Sequence, residues 1–254
     1  MTPQLPPELL ELIVDHLHDE PTTLRSCCLV SKSWVQRTRQ HLFAGVEFDP
    51  EKSPLESWVK TFPDPSNSPA HYTRSLSISG LPTPAASGSS TRTCICTFRN
   101  LERLTISAIR LGYGVRGTFV PLHGISPTLQ SLTVSDVIVP LSDVFDLICS
   151  FLSLDNLELT RITDCGDLNE TWIIPPTSPK LSGALRLRTL NETRSIIRHL
   201  LDLPGGLLFS KILAGYFFQA EITVDLVPRC FNTLETLQIG FTDFGEPPSA
   251  STAH

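Results

Sequence analysis

A short apolar alternation returns seven times in this chain and leaves it little freedom in how to fold. The segments SLSIS, RLTIS, SLTVS, NLELT, ALRLR, KILAG and TLQIG align on Leu76, Leu104, Leu132, Leu157, Leu185, Ile212 and Leu237. The intervals between these anchors are 28, 28, 25, 28, 27 and 25 residues. Two residues after each anchor stand Ile78, Ile106, Val134, Leu159, Leu187, Ala214 and Ile239. Five after it stand Leu81, Ile109, Val137, Ile162, Leu190, Phe217 and Thr242. Three before it, Leu101, Leu129, Leu154, Phe209 and Leu234 recur, with Leu181 displaced by one. Alternation of period two over five residues makes a short strand with one apolar face. The rest of each unit is a return segment, and helical spacing predicts helices over 142–152, 193–203 and 221–231. Pro204-Gly205-Gly206 stops the second, and Pro228 removes a donor from the third and kinks it. One strand and its return cannot bury an apolar face alone, so about seven units are expected to stack into a solenoid.

Composition narrows the partners. A net charge of −6 disfavours nucleic acid and anionic membrane, both of which need a basic surface. The opening MTPQLPPELLELIVDHLHDE has no basic region before its apolar stretch and carries acidic residues within it, unlike a secretion signal. No apolar run reaches the length of a membrane-spanning helix. Seven cysteines, an odd number with no C-x-x-C pair, point to reduced thiols and a cytoplasmic or nuclear setting. The chain divides into an N-terminal domain over 1–48, a Pro-rich junction over 49–72 with one short helix near 55–61, the repeats over 73–245, and a disordered tail over 246–254. The small polar stretch 82–93 reads as a mobile loop. The last repeat strand is expected to present an open edge.

The N-terminal domain reads as three short helices. Leu5-Pro6-Pro7-Glu8 starts the first, with Pro where its missing N–H is harmless. Leu9, Ile13 and Leu17 form one stripe, with Leu12 placed roughly opposite. A second helix over 22–32 carries Leu24, Cys27, Cys28, Leu29 and Val30, and a third from Ser33 to about Leu42 carries Trp34, Val35 and Leu42. Some forty residues offer little interior. There is more apolar surface than such a domain can bury, so either a second protein covers the excess or the repeats do.

Two resemblances follow from these residues. The L-x-x-L-x-L pattern over 73–245 resembles leucine-rich repeats, although an aliphatic stands where that family has an Asn or Cys after the strand. An irregular solenoid, without the family's hydrogen-bonded ladder, is the expectation. LPPELLELIVDHL at 5–17, a polar turn, and LRSCCLVSKSW at 24–34 resemble the F-box, and LDLPGGL at 201–207 is similar to repeats of fungal F-box proteins. The resemblance implies an α/β chain in which a small three-helix F-box domain precedes a leucine-rich-repeat solenoid. It implies docking onto the Skp adaptor, and through it the cullin, of a Skp–cullin–F-box (SCF) ubiquitin ligase, with the repeats holding a protein substrate. Carried over by position, Leu5, Pro6, Leu9, Ile13, Leu17, Leu24, Cys28, Val30 and Trp34 are the adaptor-facing residues, some of which must form the domain's own core. A repeat scaffold with no ubiquitin role is the alternative.

Residues alternating outward on the strands would select the substrate, chief among them Arg103, Thr105, Thr133, Glu158, Arg186, Arg188 and Lys211. The first strands offer hydroxyls, and the fifth and sixth add cations that suit an acidic peptide. No catalytic residue, cofactor or metal site is expected. Cys94-x-Cys96 and Cys27-Cys28 lack the further ligands a zinc site needs, and no G-x-S-x-G, phosphate-binding loop or G-x-G-x-x-G occurs.

Overall fold

The computed structural model describes residues 6–80, 94–110, 117–166, 172–173, 179–188, 193–215 and 222–240. Its centre is an open, wholly parallel sheet of eight strands in simple chain order. The strands are β1 (Gly45–Phe48), β2 (Ser75–Ser79), β3 (Arg103–Ser107), β4 (Ser131–Val139), β5 (Ser153–Asp164), β6 (Lys180–Arg188), β7 (Leu207–Gly215) and β8 (Thr236–Gly240). Parallel neighbours need crossovers of a dozen or more residues, which the 25–28-residue spacing supplies. The register runs Leu76, Leu104, Leu132, Leu157, Leu185, Ile212, Leu237 straight across the sheet, so the seven anchors are one physical row. All of them except Leu237 are buried. The row two residues on is buried as far as Ala214, and Leu101, Leu129, Leu154, Leu181 and Phe209 fill the layer before the strands.

β1 was not foreseen. Gly45–Phe48 pairs with β2 in register Val46 to Leu76 and Phe48 to Ile78, so residues placed in the N-terminal domain begin the sheet instead. The Pro-rich stretch after it is tightly built. The helix expected near 55–61 is α4 (Leu55–Thr61), numbered after three helices of the N-terminal segment. Its Trp58 meets Phe43, Phe48, Phe62 and Phe98 with ring centroids 4.8–5.9 Å apart. These aromatics join the N-terminal segment to the sheet.

On the return side, α5 (Leu141–Cys149) and α6 (Thr193–Leu201) occupy the helical stretches expected there. α5 follows Pro140 and has no side-chain cap from its own flank. Its first N–H, that of Leu141, donates to Asp164 Oδ1 of β5 at 3.1 Å, a cap supplied by the next unit. In the third stretch, a π-helical turn (Ile222–Leu226) passes into α7 (Val227–Cys230), and Pro228 stands in the first turn of that short helix. The absent Asn after the strands is replaced by ties before them. Asn100, Thr128 and Thr233, each four residues before an anchor, donate side-chain hydrogen bonds to His71, Leu101 and Phe209 carbonyls of the preceding unit, at 2.7, 3.0 and 3.0 Å.

The displaced Leu181 also has a local cause. Leu154 pairs with Leu181 and Asn156 with Ala184, so β6 carries one extra residue there. Gly183 takes φ +65°, and a Cβ on it would lie 2.1 Å from the Asp155 carbonyl oxygen, which leaves Gly as the residue that fits. Just past the strands another regularity emerges: Gly80, Ala108, Asp136 and Arg161, each four after its anchor, all have φ between +48° and +60°. The loop over 82–93, the tail over 246–254, and Leu5, Leu81, Leu190, Phe217 and Thr242 lie outside the described residues.

Candidate partner-binding surfaces

The N-terminal segment folds as α1 (Pro7–His16), α2 (Pro21–Val30) and α3 (Lys32–Leu42). Pro at the start of α1 and α2 fits the turn where no N–H is required. The Ser31 hydroxyl accepts from Ser33 N at 3.3 Å at the start of α3. The interior is small: Val14, Leu24, Cys27 and Thr38 are the buried side chains of these helices among the described residues.

A charged clasp compensates. Arg37 Nε and Nη2 donate to the two Asp15 oxygens at 2.6 and 2.5 Å, and His41 Nε2 lies 2.8 Å from Asp15 Oδ1. The Arg37 hydrogen bonds first, then that from His41, hold the Asp15 carboxyl well below the usual carboxylate range. The clasp ties α1 to α3 and leaves the far side of α1 open.

That far side is apolar. Leu9, Leu12 and Ile13 are 47%, 53% and 43% exposed, and Leu29 and Val30 of α2 are 88% and 70% exposed. The expected stripe is corrected here. At about 100° per residue, Leu12 stands about 60° from Leu9 and belongs with Leu9 and Ile13, while Leu17, just past the end of α1, is half-buried. The other adaptor-facing candidates sort in the same way. Pro6 and Val30 are exposed, Cys28 and Trp34 are half-buried, and Leu24 is buried in the helices' own core. Leu12 and Leu29 were missing from that set. Helix geometry alone had placed Leu29 away from Leu24 and Cys27, the residues that point inward.

The second surface is the outer face of the sheet. One register row runs Ser77, Thr105, Thr133, Glu158, Arg186, Leu213, Gln238. A second runs Ser79, Ser107, Ser135, Thr160, Arg188. Arg103, Arg188 and Lys211 are exposed, and Thr105, Thr133, Glu158 and Arg186 are half-buried. Chemistry changes along the sheet. Ser79 and Ser107 share a hydroxyl hydrogen bond of 2.9 Å at one end, whereas Arg186 lies 3.7 Å from Glu158 nearer the other. Just beyond this face, the Arg161 guanidinium clasps both oxygens of Asp136.

Burial favours the protonated form of Cys94, Cys149, Cys165 and Cys230. Burial pushes Cys94 up to about 11 and Cys149 up to about 12, the latter helped by Asp146, so neither is a ready nucleophile at neutral pH. Cys96 is exposed and free. Among the described residues, no three His, Cys, Asp or Glu side chains gather to hold a metal ion, and no helix is long and apolar enough to cross a membrane. No protein-family model matches the chain, and no curated protein matches it in sequence.

Proposed function

We propose that this chain is the substrate-receiving subunit of an SCF ubiquitin ligase, with α1–α3 acting as an F-box that docks onto the Skp adaptor and the sheet acting as an irregular leucine-rich-repeat surface for a protein substrate. The observation that carries the reading is the set of exposed apolar side chains Leu9, Leu12 and Ile13 on α1 and Leu29 and Val30 on α2. These side chains sit on the segment that resembles an F-box, and the sheet leaves them exposed. A small helical unit that spends so much of its apolar surface outside its core gains most from a partner that buries it. Strands in simple chain order, joined by long returns, support the repeat reading of the rest.

The mechanism is proximity. A receptor that holds a substrate near a ubiquitin-conjugating enzyme raises the local concentration of its lysines, to the order of millimolar for a short tether. The receptor needs no catalytic group of its own for this.

Co-expression with the Skp adaptor tests the reading, scored by co-purification of the two chains. The expected result is a stable one-to-one complex that Leu9→Asp or Ile13→Asp abolishes while the circular dichroism of the sheet is kept. A chain that is monomeric, well behaved and indifferent to the adaptor would overturn it, and a protein-binding scaffold with no ubiquitin role would be the better account.

A further inference from the structure

The outer face of the sheet is not uniform, and its most distinctive place is a recess over β6, β7 and β8. The cavity has a volume of about 290 Å³ and is lined by Arg186, Arg188, Lys211, Leu213, Gln238 and Gly240, among others. Its depth follows from the sequence. Where β3, β4 and β5 carry Ser107, Ser135 and Thr160, β7 and β8 carry Gly215 and Gly240, which face each other in register. Two missing side chains in neighbouring strands lower the floor beside Arg188.

The rim is cationic in a chain whose net charge is −6. Arg186 has one carboxylate near it, that of Glu158 at 3.7 Å. Among the described residues, neither Arg188 nor Lys211 forms an ion pair, and both are exposed. Three like charges on two adjoining strands repel one another, and the single Glu158 carboxylate offsets that only in part. A bound anion would relieve the repulsion, and guanidinium groups offer carboxylates and phosphates paired, directional donors. The register rows that cross the recess run on into Ser79, Ser107, Ser135 and Thr160 over β2–β5, which extend the polar surface along the sheet.

We propose that this recess binds a carboxylate- or phosphate-bearing segment of a protein, with Arg186, Arg188 and Lys211 as the groups that contact its anions. In calling that segment a substrate's, the proposal rests on the receptor reading above.

The test is fluorescence anisotropy of the full chain with labelled peptides: a tetraglutamate peptide, its phosphoserine counterpart, a tetralysine peptide, and a single-stranded oligonucleotide of matching charge. Saturable binding of one or both acidic peptides is expected, weakening as salt is raised, and about tenfold weaker with Arg188→Glu or Lys211→Glu. The neutral changes Arg188→Gln and Lys211→Gln should weaken it less, and Lys60→Glu, an equal charge reversal at an exposed residue of α4, should leave it unchanged. Tighter binding of the phosphoserine peptide would assign phosphate as the preferred anion, and a preference for tetraglutamate would assign carboxylate. Absence of saturable binding, binding untouched by both reversals, or equal binding of the oligonucleotide would overturn the proposal. Adaptor co-purification of the same variants separates the two claims. Reversals that lose the peptide and keep the adaptor locate the effect in the recess. Peptide binding in a chain that never takes the adaptor sinks the receptor reading and leaves the recess standing.

Discussion

Across α1–α3, the fully buried apolar side chains among the described residues are Val14, Leu24 and Cys27, while Leu9, Leu12, Ile13, Leu29 and Val30 are exposed. From β2 to β7 the proportions reverse, and nearly every aliphatic of the anchor rows is buried. Both regions are rich in Leu, so hydrophobicity does not separate them. What separates them is whether the chain supplies the second surface. Each strand of the sheet finds its neighbour some 25–30 residues away in the same chain. The described chain leaves the apolar residues of α1 and α2 named above exposed, and the helices rely on the Asp15–Arg37–His41 clasp for part of their cohesion. An apolar residue in the buried rows of the sheet should therefore report on folding, and one on the exposed face of α1 should not.

The largest expected effect breaks or upholds that contrast directly. Leu132 is fully buried, between Leu104 and Leu157 in register, and Leu132→Ala should cost about 2–5 kcal/mol through lost burial and the cavity left behind. Leu12→Ala, on the open face of α1, should move stability by less than about 0.5 kcal/mol. Urea unfolding followed by circular dichroism measures both. Equal costs would mean that the α1 face is packed against the rest of the chain and that the contrast is wrong.

A middle-sized effect is expected from the clasp. The Asp15 carboxyl is held below its unfolded value by Arg37 and His41. A depressed carboxyl contributes stability that is fully present above its unfolded pKa, about 4, and that is lost as pH falls through the folded value. Both partners are about one third exposed, so solvent screening limits the contribution to about 1 kcal/mol. On acidification below about pH 4, amides of α1 and α3 should lose hydrogen-exchange protection before those of β3–β6. Asp15→Asn should show that loosening already at neutral pH. Simultaneous loss in both regions would show that the helices draw their stability from the sheet.

How much of this was legible follows from what each feature depends on. The anchor rows were readable because burial on one face of a strand leaves a period of two, and all seven segments form strands in the expected register. Leu181, out of phase by one, already marked the bulge at Gly183. β1 escaped because Pro50 and Pro54 break the chain directly after it, although Val46-x-Phe48 carries the same alternation. The recess escaped because depth comes from Gly215 lying opposite Gly240, a pairing between strands that only register reveals. On α1 the stripe of Leu9, Ile13 and Leu17 differs from the structure because residues three apart on a helix return nearly to the same face, which puts Leu12 with Leu9.

The smallest expected effect concerns a feature with no residue signature at all. Gly80, Ala108, Asp136 and Arg161 share the left-handed backbone because each chain must turn out of the sheet at the same height, and their side chains have nothing in common. For Ala108, at φ +55°, that conformation costs about 1–2 kcal/mol, because Cβ crowds the following carbonyl. Glycine removes the clash but gives the unfolded chain more freedom, worth about 0.4–1 kcal/mol. Ala108→Gly should therefore stabilise the protein by about 0.5–1 kcal/mol, a gain of a few degrees or less in thermal midpoint. The opposite change one unit earlier should have the opposite sign. Gly80→Ala brings the same backbone strain and sets a Cβ 2.8 Å from Pro50 Cγ, in the turn that follows β1. Thermal unfolding of the two variants side by side checks the pair. If both changes destabilise, the turns are held by side-chain packing in each unit separately; opposite signs show that the shared backbone turn sets the energetics of the whole row.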